Sequence, residues 1–344
     1  MINLEQARLT NCIVHFVGNK NNDEKLQLSQ KTLQLDDELE TQLTLYFLRV
    51  FKTAGEAHEF HHAIEIGMNE VFACATKLFA EGDFVENARN IASHLYGQTR
   101  HPAVKAGELF VALFDEISFD DQLCKAVGIF KSERKDSFFK INAEGKSLGI
   151  GIEQGIAQQK LDKGCLILHD GTAEGYRVFA YEHANADTDY WRTDFLSIVP
   201  RKDNYQHTKN FLSVCKEFVA EKLPQDFEVT KAEQIDLLNK SIDYFKKNKD
   251  FEMEEFAEDV FRQPELIKSF KEFKNDYQDE HDLEIEEAFD VSAPAVKKQV
   301  RNYKSVLKLD KNFHIYIHGD RSKIEQGVEK DGRKFYKIYF EKEL

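Results

Sequence analysis

Residues 108–182 contain a series of short apolar runs, and the segments between most of them are too short to hold a crossover helix. The runs are rich in aromatic and β-branched residues, and Asp-Asp, Lys-Asp and Asp-Gly pairs interrupt them. Parallel neighbouring strands need a connection of about a dozen residues or more, whereas antiparallel strands do not. We therefore expect an antiparallel sheet, with strands at residues 109–114, 123–130, 138–141, 165–168 and 176–181.

The segments around this region have hairpin or helical patterns. Residues 18–23 have the composition of a hairpin loop, and either Asp36 or Asp37 is suited to cap the helix that follows. Apolar residues at helical spacing predict two more helices, at residues 69–79 and 84–96. The same spacing returns in the second half of the chain.

The C-terminal part combines a helix with strands. The helix is expected to be capped at Ser292 and to run to about Tyr303, and Asp331-Gly332 is a hairpin turn sequence. A length of 344 residues suits two or three domains of about 150 residues. The fold class is therefore predicted to be α+β. Its expected parts are an N-terminal domain with an antiparallel sheet and helices at residues 1–200, an acidic helical region at residues 201–290, and a small C-terminal α/β unit with a basic helix and a β-hairpin at residues 291–344.

Charge is distributed unevenly along the chain. Residues 226–290 contain 9 Lys and Arg against 21 Asp and Glu, a net charge of 9 − 21 = −12. Residues 295–344 contain 13 Lys and Arg against 7 Asp and Glu, a net charge of 13 − 7 = +6. The formal charge of the whole protein is −14. Most of the surface should repel a polyanion, so the C-terminal part is where nucleic acid is expected to bind, if the protein binds any.

The cellular location is predicted from features that are missing. The N-terminus has no basic start followed by an apolar run, and no segment reaches the ~20 apolar residues of a membrane helix. The five cysteines are scattered without paired spacing, which predicts neither disulfides nor a zinc knuckle. We expect a reduced, cytoplasmic protein that does not bind membranes.

A short histidine-rich segment matches a catalytic pattern. His58-Glu59-Phe60-His61-His62 has the H-E-x-x-H spacing of zinc proteases, in which two histidines one helical turn apart bind the metal and the glutamate activates water. The residues that follow alternate with a period of two, which favours a strand, and on a strand the two histidines would lie about 13 Å apart. A zinc hydrolase that uses His58, Glu59 and His62 is therefore the weakest of three hypotheses, and a polar strand edge is the alternative.

Residues 149–155 contain three glycines, but not in the register of a nucleotide-binding loop. Gly149, Gly151 and Gly155 are two and then four residues apart, and no Lys-Ser or Lys-Thr follows them. We expect a flexible connection between strands here. No catalytic residue, metal ligand or cofactor is predicted for the chain.

Basic residues recur near the C-terminus at a spacing that suits phosphate binding. Four of them, from Lys297 to Lys308, are spaced at i, i+4, i+7 and i+11, which places them on one helix face. If the helix ends near Tyr303, Lys308 belongs to the next strand instead. An equally supported interpretation is that this basic surface serves simply to neutralise the acidic region. The candidate DNA-binding residues are Lys297, Lys298, Arg301, Lys304, Lys308, Arg333, Lys334, Arg192, Arg201 and Lys202.

Several segments, taken in order, carry a resemblance to a known family. They are the opening hairpin and helix, residues 69–72, residues 161–167, residues 190–196 with Arg201-Lys202, then Phe270, Phe273, Leu283-Glu284, Phe289, the basic helix and residues 313–317. In this order they resemble the bacterial 37-kDa nucleoid-associated protein family, also called the NdpA type. The resemblance spans nearly the whole chain and includes no catalytic motif.

The resemblance implies a non-enzymatic protein of the bacterial nucleoid that is linked to type II topoisomerases. We expect weak, sequence-independent association with DNA and a homodimer. A second hypothesis is a protein-binding adaptor that contacts a topoisomerase or another DNA enzyme through residues 226–290, without touching DNA. Acidic helices of this kind can compete for the DNA-binding face of a partner.

Overall fold

The chain folds into two units, Met1–Arg201 and Lys202–Leu344. The computed structural model describes residues 2–52, 55–119, 122–144, 147–169, 175–183, 190–281, 283–300, 303, 306–309, 313–316 and 323–342. Each unit has core clusters of its own.

The first unit combines strands with helices. Its strands are β1 (Ile2–Asn3), β2 (Arg8–Val17), β3 (Leu26–Gln27), β4 (His58–Phe60), β5 (Gly107–Phe119), β6 (Gln122–Ser132), β7 (Lys135–Glu144), β8 (Ser147–Ile156), β9 (Lys163–His169), β10 (Arg177–Glu182) and β11 (Ile198–Pro200). Its α-helices are α1 (Asp37–Leu48), α2 (Glu70–Phe79) and α3 (Phe84–Gln98). A π-helical turn, Trp191–Leu196, precedes the last strand.

Most of these strands form one antiparallel sheet. Its order is β11-β4-β10-β9-β6-β5-β2-β3, and β1 pairs with the C-terminal end of β5. The hairpin predicted around residues 18–23 is confirmed, because β2 and β3 pair on either side of that loop. The α+β fold class with a large antiparallel sheet is confirmed as well.

The central strands of the sheet are buried on both faces. On β9, Cys165 and Ile167 belong to the core cluster on one face, and Leu166 and Leu168 belong to the cluster on the other. Helices α2 and α3 contribute side chains to the first cluster, and α1 contributes to the second. Because both faces are covered, the sequence of this strand is a continuous apolar run and does not alternate between apolar and polar residues.

Two predictions for this region are wrong. Residues 138–141 are not part of the large sheet but of β7, which pairs with β8 in a separate two-stranded ribbon. Residues 149–155 are not a flexible connection, because they form most of β8. Leu148, Ile150 and Ile152 alternate with other residues at the period of a strand, and this pattern outweighs the low strand propensity of glycine.

The predicted helix starts of the first unit are confirmed. The Asp36 carboxylate accepts the backbone N–H of Leu39 at 2.8 Å, which caps α1. The helices expected at residues 69–79 and 84–96 are α2 and α3. Asn69 and Asp83 cap them in the same way as Asp36 caps α1.

The second unit is mainly helical. Its helices are α4 (Asn204–Glu217), α5 (Leu223–Asp226), α6 (Lys231–Lys247), α7 (Met253–Val260), α8 (Pro264–His281) and α9 (Ala293–Val300). Its strands are β12 (Asp250–Glu252), β13 (Ala288–Asp290), β14 (Val306–Leu309), β15 (Phe313–Tyr316), β16 (Ile324–Val328) and β17 (Lys334–Ile338), which pair in three separate antiparallel pairs.

Phenylalanine rings fill the core of the second unit. Phe211 of α4 lies against Phe245, Phe251, Phe256 and Phe270, with ring centroids 4.3 to 5.9 Å apart. Edge-to-face and tilted ring pairs at this spacing add to the stabilisation that comes from burial alone.

The same core includes residues from both sides of residue 290. Val296 of α9 and Tyr303 belong to the cluster that contains Phe211. The separation of residues 201–290 from residues 291–344 stays a prediction. None of the described helices is long and apolar enough to cross a membrane.

Candidate nucleic-acid interface

The basic residues of α9 lie opposite its buried face. The helix begins after Ser292, whose carbonyl accepts the N–H of Val296 at 3.0 Å. Val296 and Gln299 are buried, and Lys297 and Lys298 are exposed. Two adjacent ammonium groups on the outer face of a helix can reach phosphate oxygens while the opposite face stays packed.

Tyr303 holds the C-terminal end of α9 in place. Its backbone N–H lies 3.2 Å from the carbonyl oxygens of both Gln299 and Val300, and its hydroxyl donates to the Leu212 carbonyl in α4. Burial raises the pKa of Tyr303 well above its ordinary value, so the hydroxyl keeps its proton at neutral pH. The lysines of α9 are therefore carried by an anchored helix.

The two described lysines of α9 differ in their surroundings. Lys297 forms no ion pair with a carboxylate of the described residues. Lys298 has its Nζ 6.0 Å from the ring centroid of Tyr205, at the outer limit of a cation–π contact. Lys297 is thus the better placed of the two to meet an anion from solution.

The hairpin turn predicted before the last strand is confirmed. β16 and β17 pair, the N–H of Glu329 donates to the Arg333 carbonyl at 2.8 Å, and Gly332 has a φ of +86°. Asp331 accepts the Arg333 backbone N–H at 3.1 Å and also lies 2.7 Å from its Nε. Arg333 is therefore engaged by the turn itself.

Carboxylates also accompany other cations of this hairpin. Lys323 Nζ lies 2.8 Å from Glu341, and Lys337 Nζ lies 3.6 Å from Glu325 on the opposite strand. A hydrogen bond to Tyr339 raises the pKa of Lys337, with further contributions from the charges of Tyr339 and Glu325. These exposed pairs are weak, but each reduces the charge available to a phosphate.

Lys334 forms no such ion pair within the described part of the hairpin. Its side chain is exposed, and among the residues that the structure describes no carboxylate pairs with it. It follows the turn directly, next to Arg333, whose side chain is 81% exposed although it is paired. Lys330, in the same turn, is likewise exposed and has no carboxylate partner among the described residues, so the turn end of the hairpin carries one paired cation, Arg333, and two unpaired ones.

Helix α6 supports the C-terminal strands. Ile235 of α6 packs against Ile315, Ile324 and Tyr336, one residue from each of β15, β16 and β17. The N-terminus of α6 is fixed by a capping box, in which Thr230 accepts the N–H of Glu233 and the Glu233 carboxylate accepts the N–H of Thr230. Because α9 also packs on α6, one helix carries both groups of candidate residues in this unit.

Three candidates lie at the end of the first unit or the start of the second. Arg192 is half-buried in the π-helical turn, and Arg201 is only 4% exposed, so its guanidinium does not face the solvent. Lys202 belongs to the second unit and lies 3.2 Å from the Glu284 carboxylate. Burial removes Arg201 from the set of side chains that can reach DNA.

The remaining candidates are only partly placed. Lys308 lies in β14 and not in α9, as expected if the helix ends near Tyr303. Arg301 and Lys304 lie outside the described residues. The structure thus places Lys297 and Lys298 on one helix face, and Arg333 and Lys334 at one turn.

The histidine motif does not have the geometry of a zinc protease. His58, Glu59 and Phe60 form β4, so neighbouring side chains point to opposite faces of the sheet. His58 is 5% exposed, whereas Glu59 and His62 line an open cleft of about 300 Å³ whose described lining residues do not include His58. The described residues contain no group of three or more His, Cys, Asp or Glu that could hold a metal ion.

Asn69 holds together the elements around this motif. Its side-chain oxygen accepts the N–H of Phe72 at 2.9 Å, and its nitrogen donates to the carbonyls of His61, Leu196 and Ser197 at 3.0 to 3.2 Å. One buried amide therefore caps α2 and fixes the segments that follow β4 and the π-helical turn. Asn69 therefore has a structural role, as a helix cap and as a donor to three backbone carbonyls.

A comparison with known protein families gives a match over almost the whole chain. The family model described as nucleoid-associated protein YejK matches residues 13–332, from within β2 to the turn of the last hairpin. The chain belongs to the YejK family of nucleoid-associated proteins. The resemblance expected from the sequence is thereby confirmed. No curated protein matches the chain.

The YejK family match includes both units, with α9 and the last turn among the matched residues. Sequence reasoning found these basic residues from their spacing and charge. It placed a strand at residues 138–141, within β7, but missed β8, although the alternation of residues 148–152 is a strand signal that was available in the sequence.

Proposed function

We propose that this YejK-family chain is a protein of the cytoplasmic nucleoid that associates weakly with DNA as a homodimer. The proposed contact surface is the outer face of α9 together with the turn of the last hairpin. The family match supports the nucleoid role, and the observation that carries the contact surface is the exposure of Lys297 and Lys334 without a carboxylate partner among the described residues. No catalytic step is part of the proposal.

Charge limits how strong this association is. Several cations of the C-terminal hairpin lie beside carboxylates, which leaves few for phosphates. If Lys297, Lys334, Arg301 and Lys304 each neutralised one phosphate, the logarithm of the binding constant would fall with the logarithm of salt concentration at a slope of about −4. Sequence-independent binding of this kind has dissociation constants of roughly 10⁻⁴ to 10⁻⁶ M at physiological salt.

A salt series with charge-reversed variants tests the contact surface. We expect Lys297→Glu/Lys334→Glu to weaken binding to a fluorescent duplex and to reduce the salt slope by about 2, because each phosphate contact contributes about one unit. The measurement is fluorescence anisotropy at 50 to 200 mM salt, with duplexes of unrelated sequence as a test of sequence independence.

A matched control separates local contacts from overall charge. Lys268→Glu/Lys271→Glu makes the same change in net charge, but on α8 in the acidic part of the unit, where both lysines lie beside glutamates. If this control weakens binding as much as the first variant does, only net charge matters. If neither variant changes the slope, α9 and the hairpin turn do not contact DNA.

A second candidate function is that of an adaptor for a type II topoisomerase. The observation in its favour is α7, whose exposed face consists of Glu254, Glu255, Glu258 and Asp259, while its opposite face is buried. A row of carboxylates on a fixed helix is complementary to a basic DNA-binding surface. This function does not require the chain to bind DNA.

A binding assay distinguishes the two candidates. Glu255→Lys/Glu258→Lys/Asp259→Lys should abolish capture of purified type II topoisomerase subunits while it leaves or increases DNA affinity. Capture that is unchanged in this variant, or lost instead in Lys297→Glu/Lys334→Glu, would argue against an adaptor surface on α7.

A further inference from the structure

The base of the β7–β8 ribbon is the end where β7 begins and β8 ends. Beyond this base, one face of the ribbon is made of apolar side chains only. Directly opposed residues of an antiparallel pair lie on the same face, and next neighbours alternate between faces. The pairs Phe139 with Ile152, Ile141 with Ile150 and Ala143 with Leu148 therefore share one face. We call these six residues the apolar ribbon face.

The central charged pair of the ribbon lies on the opposite face. Phe138, Lys140 and Asn142 alternate with the apolar residues of β7 and point to the other side, together with Glu153 of β8. Lys140 and Glu153 form an ion pair there, with an N–O distance of 2.8 Å. Over residues 135–156 the sequence has 3 Lys and 3 Asp or Glu, a net charge of 3 − 3 = 0.

The apolar ribbon face is open to solvent. The exposed fractions are 72% for Phe139, 59% for Ile141, 79% for Leu148, 67% for Ile150 and 71% for Ile152. Scattered exposed apolar residues are ordinary on protein surfaces, but a contiguous patch of this kind marks an interaction site or an aggregation hazard.

Among the described residues, a set of polar and apolar contacts attaches the base of the ribbon. Asp162 accepts the backbone N–H groups of Glu133 and Arg134 at 2.8 and 3.2 Å and forms an ion pair with the Arg134 guanidinium. Lys135, the first residue of β7, lies 2.6 Å from Glu108, and Ile156, the last residue of β8, packs against the core. The orientation of the ribbon at its base is therefore fixed by the first unit.

A two-stranded ribbon is marginally stable in water unless a further layer covers it. Here the cross-strand contacts bury little of the apolar side chains. A ribbon with a fixed base and an uncovered apolar face is preorganised for a partner, because little conformational freedom is lost when that face is covered.

We infer that the apolar ribbon face packs against the same face of a second copy of this chain. This rests on the homodimer proposed above and names the surface that forms it. The two ribbons stack face to face about a two-fold axis that passes near the Ile141–Ile150 pair, the central pair of the face. Sheets stacked in this way lie about 10 Å apart.

Charge and area favour a second copy over an unrelated protein. The whole chain carries a formal charge of −14, so two copies repel each other in general, but residues 135–156 have no net charge and the Lys140–Glu153 pair lies on the face opposite the apolar one. Burying a Leu, Ile or Phe side chain removes on the order of 100 Å² of apolar surface. Five such residues on each copy give about 1,000 Å² in total, which is near the lower limit for a specific interface.

A two-fold axis also suits the chemistry of this face. The same patch serves both copies in such an interface, so an apolar face without charged residues is complementary to itself. A partner with a different, charged surface would instead meet a face that offers it no ion pair.

Two adjacent substitutions on opposite faces of β7 test the inference. Ile141→Asp introduces a carboxylate in the centre of the apolar ribbon face, and Asn142→Asp introduces the same group on the other face. We expect light scattering of the full chain to give a dimer for the wild type and for Asn142→Asp. For Ile141→Asp we expect a monomer, with a dissociation constant raised at least 100-fold and an unchanged circular dichroism spectrum.

Cross-linking reports the position of the axis directly. All five native cysteines are free and buried, so an introduced cysteine on the ribbon is the accessible one. A short bismaleimide should convert Ile150→Cys into a covalent dimer and leave Asn142→Cys without a cross-link between the two copies. Equal cross-linking of both variants would overturn the inference.

The outcomes separate this inference from the proposed function. A wild-type dimer that Ile141→Asp leaves intact overturns the ribbon surface, although the homodimer stands. A wild type that is monomeric at all concentrations overturns both. Neither result depends on DNA affinity, which is measured separately with the variants of α9 and the hairpin turn.

Discussion

Single buried polar residues connect distant parts of the first unit, and Asn69 is the best example. Its amide makes a helix cap and three bonds to carbonyls at once. The cap was predictable, because Asn before an apolar periodic segment is a start signal. The three carbonyls were not, since two of them lie more than 120 residues away in the sequence.

Replacing Asn69 separates the cap from the carbonyl contacts. Asn69→Ala removes both and should lower the free energy of unfolding by about 2 to 4 kcal/mol, since buried carbonyls lose their donors. Asn69→Asp keeps the cap acceptor but turns the donor into a second acceptor, so it should destabilise about as much as alanine. Denaturant unfolding measures the free energy of unfolding of each variant. An Asn69→Asp variant as stable as the wild type would show that the carbonyls do not need the Asn69 amide as a donor.

His15 gives the first unit a pH-dependent stability. It is 2% exposed, its Nδ1 accepts the Ser29 N–H at 3.0 Å, and burial, with a smaller contribution from Arg89, lowers its pKa to about 4. The unfolded chain, with a histidine pKa of 6.5, binds a proton at higher pH than the folded chain does. Acidification from pH 6.5 towards pH 4 therefore favours unfolding.

The size of this effect follows from the difference in pKa. A shift of this size corresponds to about 3 kcal/mol, present above pH 6.5 and lost as the pH falls to 4. His15→Asn keeps an acceptor for Ser29 but does not titrate, so its stability should vary less over that range. Denaturant midpoints at pH 7, 6, 5 and 4 test this, and parallel curves for the two proteins would assign the acid sensitivity to other groups.

At the scale of elements, periodicity predicted most of the fold. The helices α2 and α3 and the last hairpin lie where spacing and turn residues placed them. Strand β8 was missed because glycines at positions 149, 151 and 155 suggested a loop, whereas pairing with β7 decides the conformation. The site was predicted less completely. Charge alone does not reveal that Arg201 is buried or that Arg333 pairs with Asp331, because both depend on tertiary neighbours.

The turn of the last hairpin depends on one glycine. Gly332 has a φ of +86°, and a Cβ built on it would meet no atom within 4 Å, so backbone conformation is the only obstacle to another residue. Gly332→Ala should destabilise the hairpin by about 1 kcal/mol, because an L-residue resists positive φ. Faster hydrogen exchange at the Glu329 and Tyr339 amides, which donate to Arg333 and Lys323, would report the opening of this hairpin.

Gly97 is the matched control for this substitution. It also has no atom within 4 Å of a Cβ, but it lies in α3. Gly97→Ala should therefore stabilise its helix by about 0.5 to 1 kcal/mol, since alanine has the higher helix propensity. The same chemical change then has opposite effects at the two positions. If both variants destabilised, the positive φ would not be the cause.

At the scale of the whole molecule, the open question is whether the acidic helices and the basic C-terminal part are separate domains. Val296 and Tyr303 pack into the core of the second unit with 4% and 7% exposure, and Tyr303 donates to a carbonyl of α4. Burying two such side chains stabilises by about 3 to 6 kcal/mol. Since a typical domain is stable by only 5 to 15 kcal/mol, their loss is a large fraction of the total.

Two fragments of the chain test whether the acidic helices and the basic C-terminal part are separate domains. Residues 202–344 should fold alone and unfold cooperatively, whereas residues 202–290 should lack cooperative unfolding, because the apolar surfaces of α4 and α6 that α9 covers would be exposed. Circular dichroism melting of both fragments is the measurement. A folded 202–290 fragment as stable as the longer one would establish three domains, with opposite charges on separately folded parts. If only the longer fragment folds, the basic residues belong to one cooperative unit with the acidic helices.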